Sequence, residues 1–346
     1  MDVPFSEIDA ASLAFPIAEA SGFGPGRATM LYRLCRVGRK ARLGVVCDGL
    51  PPGGAVLITA LHGKHLFCHD SATQVPHCTM TDLTYCLLDD LAVLDFQGVD
   101  ARAFLQGQLS ADITGMLPGQ QGLAGLHTPQ GRVIAVLRLQ CLADDQVLAI
   151  LPSALAEPVA ARLRRYILRA KVVITDHSDR LAVLGTLQGG QSGWLVVDRG
   201  QPLPAGEHID PAAWLVAQIR AGQPQIVPAT SDRFVAQMLN LDLLGGISFT
   251  KGCYTGQEVI ARAHYRGRVK RRAQRFVTPM LETLEPGSRW SLPDGRTIEV
   301  LMAQADATGQ QQVLAITALS AEGAVGGEHA LLQAEQAELP YALPSD

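Results

Sequence analysis

The chain has 346 residues, 47% of them hydrophobic and 18% charged, with 29 basic against 33 acidic residues for a net charge of −4. So low a charged fraction argues against a mainly disordered chain, and the charge balance excludes a globally basic nucleic-acid binder while leaving room for a local basic patch. The length suits two or three domains with cores of their own. Scarce aromatics (5%) with plentiful Gly (34) and Pro (20) fit a loop-rich α/β or α+β protein better than a coiled coil. No apolar run reaches the ~18 residues that a membrane span needs, and the start, Met1-Asp2-Val3-Pro4, lacks the features of a signal peptide. A cytoplasmic protein with no membrane partner is expected. Its seven cysteines, odd in number and without paired spacing, are then free thiols.

Residues 1–79 stand apart. They hold Cys35, Cys47, Cys68 and Cys78, together with His62, His65, His69 and His77 and a basic stretch from Arg27 through Arg33, Arg36, Arg39, Lys40 and Arg42. Little there shows a period of 2 or 3.6. The His62, His65, Cys68 and His69 cluster matches no standard zinc spacing, so no metal is expected. A basic arm touching RNA is a weak alternative. The favoured reading is an N-terminal extension of doubtful structure or one foreign to the natural product. Met80 is an alternative start, because regular signals begin just after it.

From residue 91 the chain reads as regular structure. A strand over 91–96 is closed by Gly98, and Asp100 is placed to cap a helix running to 108. Strands over 122–128 and 131–141 flank the turn signal Pro129-Gln130-Gly131, and Asp144-Asp145 turns the chain into a strand over 147–151. A helix over 153–168 carries Arg162, Arg164 and Arg165, and strands follow over 171–175, 181–187 and 194–198. A further helix over 210–221 has Asp210 as N-cap, Pro211 at its first position and Gly222 just past its end. Hairpins dominate, so the expected class is antiparallel α+β rather than a doubly wound parallel sheet. Short strand candidates over 274–278, 297–304, 312–319 and 329–334 predict a small C-terminal β-barrel or sandwich.

The informative segment is 237–272. Gly245, Gly246 and Gly252 allow sharp turns, and Gly256 precedes a helix expected over 257–263. Cys253 follows Lys251-Gly252. A thiol near a lysine and a helix N-terminus ionises more easily, because both favour the thiolate. A lone cysteine is also often just a small buried hydrophobe. Gln257 and Glu258 add polar groups to the same turn. Arg262, Arg266, Arg268, Lys270, Arg271, Arg272 and Arg275 then form a basic run around Tyr265, which reads as a solvated face or a weak phosphate-contacting one. The residues alone give a candidate reactive thiol beside a basic surface.

The uninterrupted run Lys251-Gly-Cys-Tyr-Thr-Gly-Gln-Glu258 resembles the signature of the YgfZ family of folate-binding proteins. The stretch from Asn240 to Phe249 is similar to the family's approach to that motif, and Ala261-Arg262, Arg266-Gly267 and Lys270-Arg271 continue it. Residues 104–112, Gly131-Arg132 and Arg169-Ala-Lys171 also fit, so the resemblance covers roughly 85–346. The family is related to the glycine-cleavage T-protein, a tetrahydrofolate-dependent aminomethyltransferase. The resemblance therefore implies a folate-binding region over 80–273, made of two α+β subdomains around a cavity, followed by a β-barrel over 274–346. It implies tetrahydrofolate as cofactor, and iron–sulfur proteins as partners, in particular radical enzymes that methylthiolate tRNA.

By the same resemblance Cys253 is the functional thiol and Trp214 the tryptophan placed against folate. Leu91 stands where some relatives carry a second aromatic. Lys251, Tyr254, Gln257, Glu258 and Arg262 are expected around the cofactor, with Lys251 and Arg262 neutralising its carboxylates or favouring the Cys253 thiolate. The expected function is an accessory role in assembly or repair of iron–sulfur clusters. The alternative is a tetrahydrofolate-dependent aminomethyltransferase, for whose carboxylate Glu258 and Asp112 are candidates by type only. Direct RNA contact through 262–275 is not expected.

Overall fold

The computed structural model of the chain describes residues 30–37, 40–47, 83–267, 269–279, 282–321 and 329–344. Residues 1–64 and 65–346 form separate compact units. In the first, strands β1 (Met30–Val37) and β2 (Lys40–Cys47) pair antiparallel. The histidine–cysteine cluster at 62–69 and Met80 lie outside the described residues.

The second unit is mixed α+β. It opens with β3 (Thr84–Leu87), β4 (Leu91–Gln97), α1 (Ala101–Gln108), β5 (Gln121–His127), β6 (Val133–Ala143) and β7 (Gln146–Pro152). There follow α2 (Ser153–Arg164), β8 (Val173–Asp176), β9 (Leu181–Gln188), β10 (Gln191–Asp198), β11 (Glu207–His208) and α3 (Pro211–Arg220). The chain continues through α4 (Gln257–Tyr265), β12 (Arg271–Pro279), β13 (Arg289–Ser291), β14 (Thr297–Ala305), β15 (Gln310–Ala318) and β16 (Glu335–Ala337). Three sheets result: five strands in the order β5-β6-β7-β4-β8, four in the order β10-β9-β3-β11, and five in the order β13-β14-β15-β12-β16. Among the described residues no helix is long and apolar enough to cross a membrane.

The first sheet is buried on both faces, which explains its unbroken apolar runs. Side chains alternate along a strand, so each strand feeds two cores. On β4, Ala92, Leu94 and Phe96 enter the larger core with α1 and α2, whereas Leu91 and Val93 enter a second core shared with the four-stranded sheet. On β7, Val147, Ala149 and Leu151 face the first core, and Leu148 and Ile150 face the second. A third core fills the C-terminal sheet around Phe276, Ile298 and Val313.

Several expectations shift against this frame. Asp210 caps α3 as read, accepting from the Ala212 N–H at 2.8 Å. Asp100 does not cap α1: its carboxylate accepts from the Lys171 N–H at 2.7 Å and ties the connection before β8 to the helix start. Helix α2 stops at Arg164 rather than 168, and Leu168 beyond its end is 87% exposed. The C-terminal segment is not a closed barrel among the described residues. Its edge strands β13 and β16 have only 3 residues each, and β13 meets the chain before β16 at one isolated parallel bridge, Ser291–Leu331. Where a strand over 329–334 was expected, that bridge stands alone and the strand itself is β16.

Asn240 and Asp242, upstream of the signature, tie it to the C-terminal sheet. Asn240 takes a left-handed backbone (φ 57°) and donates through its side chain to the Ala273 carbonyl at 2.9 Å. Asp242 pairs bidentately with Arg272, at 3.0 and 2.8 Å, with both side chains nearly out of water (10% and 5% exposed). Removing one partner strands the other charge. Asp242→Ala is therefore predicted to lower stability by ~3–5 kcal/mol, measured by denaturant unfolding.

Candidate functional site

The signature loop hangs between two anchors. Ser248 N–H donates to the Ser110 carbonyl at 2.9 Å, and the buried Ser110 hydroxyl in turn donates to the Gly246 carbonyl at 2.6 Å. Three residues on, Lys251 turns inward. Its Nζ donates to the carbonyls of Gln106, Leu109 and Ala111 at 2.6, 2.6 and 2.8 Å, at the C-terminal end of α1, where a cation also meets the negative end of the helix dipole. Tyr254 is the second anchor. It is buried, lies under the Lys251 ammonium with 5.0 Å from Nζ to the ring, and burial pushes its hydroxyl up to about 12. Burial pushes Lys251 down to about 8, with Asp112 working in the opposite direction.

Between the anchors, Gly252 and Cys253 form a crest at the surface. A Cβ on Gly252 would touch nothing within 4 Å, and Cys253 is exposed. Cys86 and Cys141, by contrast, are buried. The hydrogen bonds of Lys251 go to the end of α1, so the charge expected to serve the thiol instead holds the loop beneath it.

Gly256 closes the loop and starts α4. Its φ of 85° is left-handed, and a Cβ there would lie 2.6 Å from the Thr128 carbonyl. The opposing Gly131, at the β5–β6 turn (φ 74°), would bring a Cβ to 2.9 Å from Val259. The two glycines thus let the hairpin tip and the helix start interlock.

The other signature residues divide. Glu258 and Arg262 are exposed on α4 and Gln257 is half-buried. Phe249 stacks on His264 at 3.8 Å, with Tyr265, 67% exposed, edge-on beside them. The basic run is not one solvated face: Arg266 is exposed, Arg272 is in the buried pair with Asp242, and Arg275 donates to Gln312 and to the Glu338 carbonyl. Arg268 lies outside the described residues. Asp112 sits in the loop after α1. Burial opposes its ionisation, yet the Thr114 hydroxyl, Gly115 N–H, Gln106 amide and Lys251 charge together hold it below the ordinary carboxylate range.

Trp214 is not with these residues. It belongs to the second core, whereas Tyr254 and Ile260 belong to the first. Its indole N–H donates to the Gly193 carbonyl at 2.8 Å, a Cβ on Gly185 would come within 2.8 Å of the ring, and the Arg138 guanidinium lies 5.5 Å from the ring centroid. Arg138 donates to Gln218 at 2.9 Å, and Gln218 to Ser192 at 2.7 Å.

Sequence reasoning passed over two buried groups here. Arg138 interrupts an otherwise apolar strand and is buried. His127 ends β5 with no motif around it, and is fully buried with neither ring nitrogen hydrogen-bonded. Burial, reinforced by the Lys251 charge, pushes the His127 imidazole down to about 3.

Two predictions follow from this geometry. Lys251→Met strands buried carbonyls at the end of α1, so it should cost ~2–4 kcal/mol in denaturant unfolding and quicken thiol-reagent labelling of Cys253. His127 titrates near 6.5 when unfolded but about 3 when folded, so the unfolded chain binds the extra proton between those values and stability falls as pH drops through that window. His127→Leu removes this dependence. Its stability advantage over the parent should grow by up to ~1.4 kcal/mol per pH unit on acidification from 6.5 toward 3, as read by unfolding at several pH values.

No family model matches the chain. It is similar to an uncharacterized protein of Haemophilus influenzae, 31% identical over 213 residues that cover 58% of this chain and 76% of that one. It is 34% identical over 247 residues to the tRNA-modifying protein YgfZ of Edwardsiella ictaluri, covering 60% of this chain and 74% of that one. With YgfZ of Yersinia pseudotuberculosis it shares 33% identity over 235 residues, 55% of this chain and 69% of that one. Among solved structures it resembles the glycine cleavage system aminomethyltransferase T from Bartonella henselae, with a TM-score of 0.54 over 69% of this chain and 80% of that one. At 13% identity that likeness is one of fold alone. Identity of 34% across 74% of a relative goes well beyond shared architecture, and the chain belongs to the family of the tRNA-modifying protein YgfZ.

Proposed function

We propose that this chain is a tetrahydrofolate-binding accessory protein that supports assembly or repair of iron–sulfur clusters in enzymes that methylthiolate tRNA, and that Cys253 is the group it presents to them. The observation that carries this reading is the construction of the signature loop. Lys251, Tyr254 and Gly256 are all turned inward to hold the backbone, and the Cys253 side chain alone between them stands in solvent. A thiol held out on a braced crest suits delivery to a protein partner. In this reading residues 80–273 bind folate and residues 274–346 are an accessory sheet.

Folate needs a flat wall with polar groups that have hydrogen-bonding capacity to offer. Beside Trp214 the polar groups are there, in the chain from Arg138 to Gln218 to Ser192, but the indole is 3% exposed with Gly185 and Arg138 against it, so the junction offers folate polar partners and not an open flat wall. When bound, tetrahydrofolate would supply one-carbon chemistry. The chain's own contribution is to seat the ring beside Trp214, with Glu258 and Arg262 exposed on α4 and Gln257 half-buried. The second reading, a tetrahydrofolate-dependent aminomethyltransferase, rests on likeness of fold to the Bartonella henselae enzyme. The exposed thiol within the signature favours the first.

The test is complementation in cells lacking a YgfZ protein, read as tRNA methylthiolation and iron–sulfur enzyme activity. Cys253→Ala should abolish rescue while leaving unfolding within ~0.5 kcal/mol of the parent, since an exposed side chain contributes little to stability. Full rescue by that variant would overturn the thiol assignment. Calorimetric titration with tetrahydrofolate tests the cofactor, and absence of binding to the parent chain removes it.

A further inference from the structure

The C-terminal sheet ends in a cavity of about 380 Å³, at the low end of the ~300–1,000 Å³ typical of small-ligand pockets. Four neighbouring strands build it. Arg289 comes from β13, Thr297 from the start of β14, Ala318 from the end of β15 and Arg271 from the start of β12. Arg296, from the turn between β13 and β14, and His329 complete the lining, and no carboxylate lines the cavity among the described residues.

Its three guanidiniums are held differently. Arg296 is 8% exposed and engaged at every nitrogen: Nε donates to Asp294 at 2.7 Å, Nη1 to Gln274 at 3.3 Å and the Ala318 carbonyl at 3.2 Å, and Nη2 to Gln336 at 3.0 Å. These bonds run from the turn to β12, β15 and β16, so this charge is immobile. Arg289 commits its Nε to Glu299 at 2.9 Å, and its two terminal nitrogens meet no partner among the described residues. Arg271 is half-buried and makes no side-chain hydrogen bond or ion pair among them. Charge is out of balance as well. Asp294 offsets Arg296, whereas Glu299, 2% exposed, is shared between Arg289 and Arg233, at 2.9 and 2.8 Å. Two carboxylates thus serve four guanidiniums, and two positive charges stay uncompensated. Surface arginines ordinarily relieve such crowding by swinging apart in water. Here Arg296 is pinned, and Arg271 starts a strand held along its length by β15. Cations kept around one concavity raise the local concentration of anions.

We propose that this cavity binds a small phosphorylated molecule. Arg271 and Arg289 donate to phosphoryl oxygens through their unengaged nitrogens, and Arg296 supplies a fixed positive charge. A planar guanidinium fork matches the geometry of phosphate and donates to two oxygens at once. A phosphoryl group carries ~1.5–2 negative charges at neutral pH and balances the two positive charges left over, where a single carboxylate would balance one. The site uses no residue of the signature loop and none of the core around Trp214, so it stands independently of the folate reading.

The test is calorimetric titration of the full chain with inorganic diphosphate, with adenosine diphosphate and with tricarballylate, a tricarboxylate of similar charge. The proteins are the parent, Arg271→Gln, Arg289→Gln and, as a control for diffuse attraction, Arg165→Gln, which removes an exposed charge at the end of α2. The parent should bind diphosphate, and each cavity variant should bind it about tenfold or more weakly while Arg165→Gln binds as the parent does. Adenosine diphosphate binding alongside diphosphate identifies the ligand as a phosphate ester, and diphosphate binding alone identifies the free anion. Unliganded Arg271→Gln should melt at the parent's temperature or higher, because no partner is lost and repulsion within the cavity falls. A lower melting temperature with diphosphate binding unchanged marks a structural arginine and overturns the assignment. So does a parent chain that binds neither phosphate compound, one that binds tricarballylate as tightly as diphosphate, or an Arg165→Gln variant weakened as much as the cavity variants.

Discussion

The Lys251 ammonium is the contact on which the signature region depends. A short helix, α1, ends by leaving carbonyls without intrahelical partners, and the chain that follows it makes no strand until Gln121. Two cations fill the deficit. Lys251 takes the carbonyls of Gln106, Leu109 and Ala111, and Arg102 takes those of Ile113, Thr114 and Met116. The Gln106 side chain adds bonds to the N–H groups of Ile113 and Thr114. The loop over 109–116 is thus tied mainly by side chains, beside a single backbone bridge from Leu109 to Leu126. Because one of the ties comes from the signature, the position of Cys253 and the order of this loop are set together.

The glycines do complementary work. Gly131 and Gly256 each adopt a conformation costly to other residues, and at each a Cβ would strike the other's segment. Their contact fixes the start of α4 against the β5–β6 turn. Lys251 fixes the loop from one side and this contact from the other. The charges downstream follow the same division of labour: Arg272 is withdrawn into the pair with Asp242, and Arg262 and Arg266 stay in water. A basic run that looks uniform in sequence is part structural tie and part surface.

How much of this the sequence disclosed depended on whether the signal was local. Asp210-Pro211 announced α3 because cap and first-turn proline act within four residues. Asp100 had the same local form, but a distant partner, the Lys171 N–H, took its carboxylate. Strands β3, β11 and β13 went unread because they have 4, 2 and 3 residues, too short for any period to show. The signature located the Cys253 loop, since its residue types are dictated by close backbone approach. The tie from Lys251 to α1 spans about 140 residues and leaves no mark in spacing. Arg138 was hidden for a related reason: alternation tells which residues share a face, but not that both faces of β6 are covered.

That double burial bears on how the protein can work. Val133, Ala135, Leu137, Leu139 and Cys141 of β6 face the core that holds Tyr254 and Ile260 of the signature region, and at the start of the strand Ile134 and Val136 of the other face reach it too. Arg138 faces Trp214, and Leu142 packs on the second core. The braced thiol and the Trp214 junction are therefore served by opposite faces of one sheet, with the sheet's own side chains between them. The thiol crest itself faces solvent. The polar groups at Trp214 come from β6, α3 and β10 and not from the signature, so the bracing of the signature backbone and the ordering of that junction are built from separate residues.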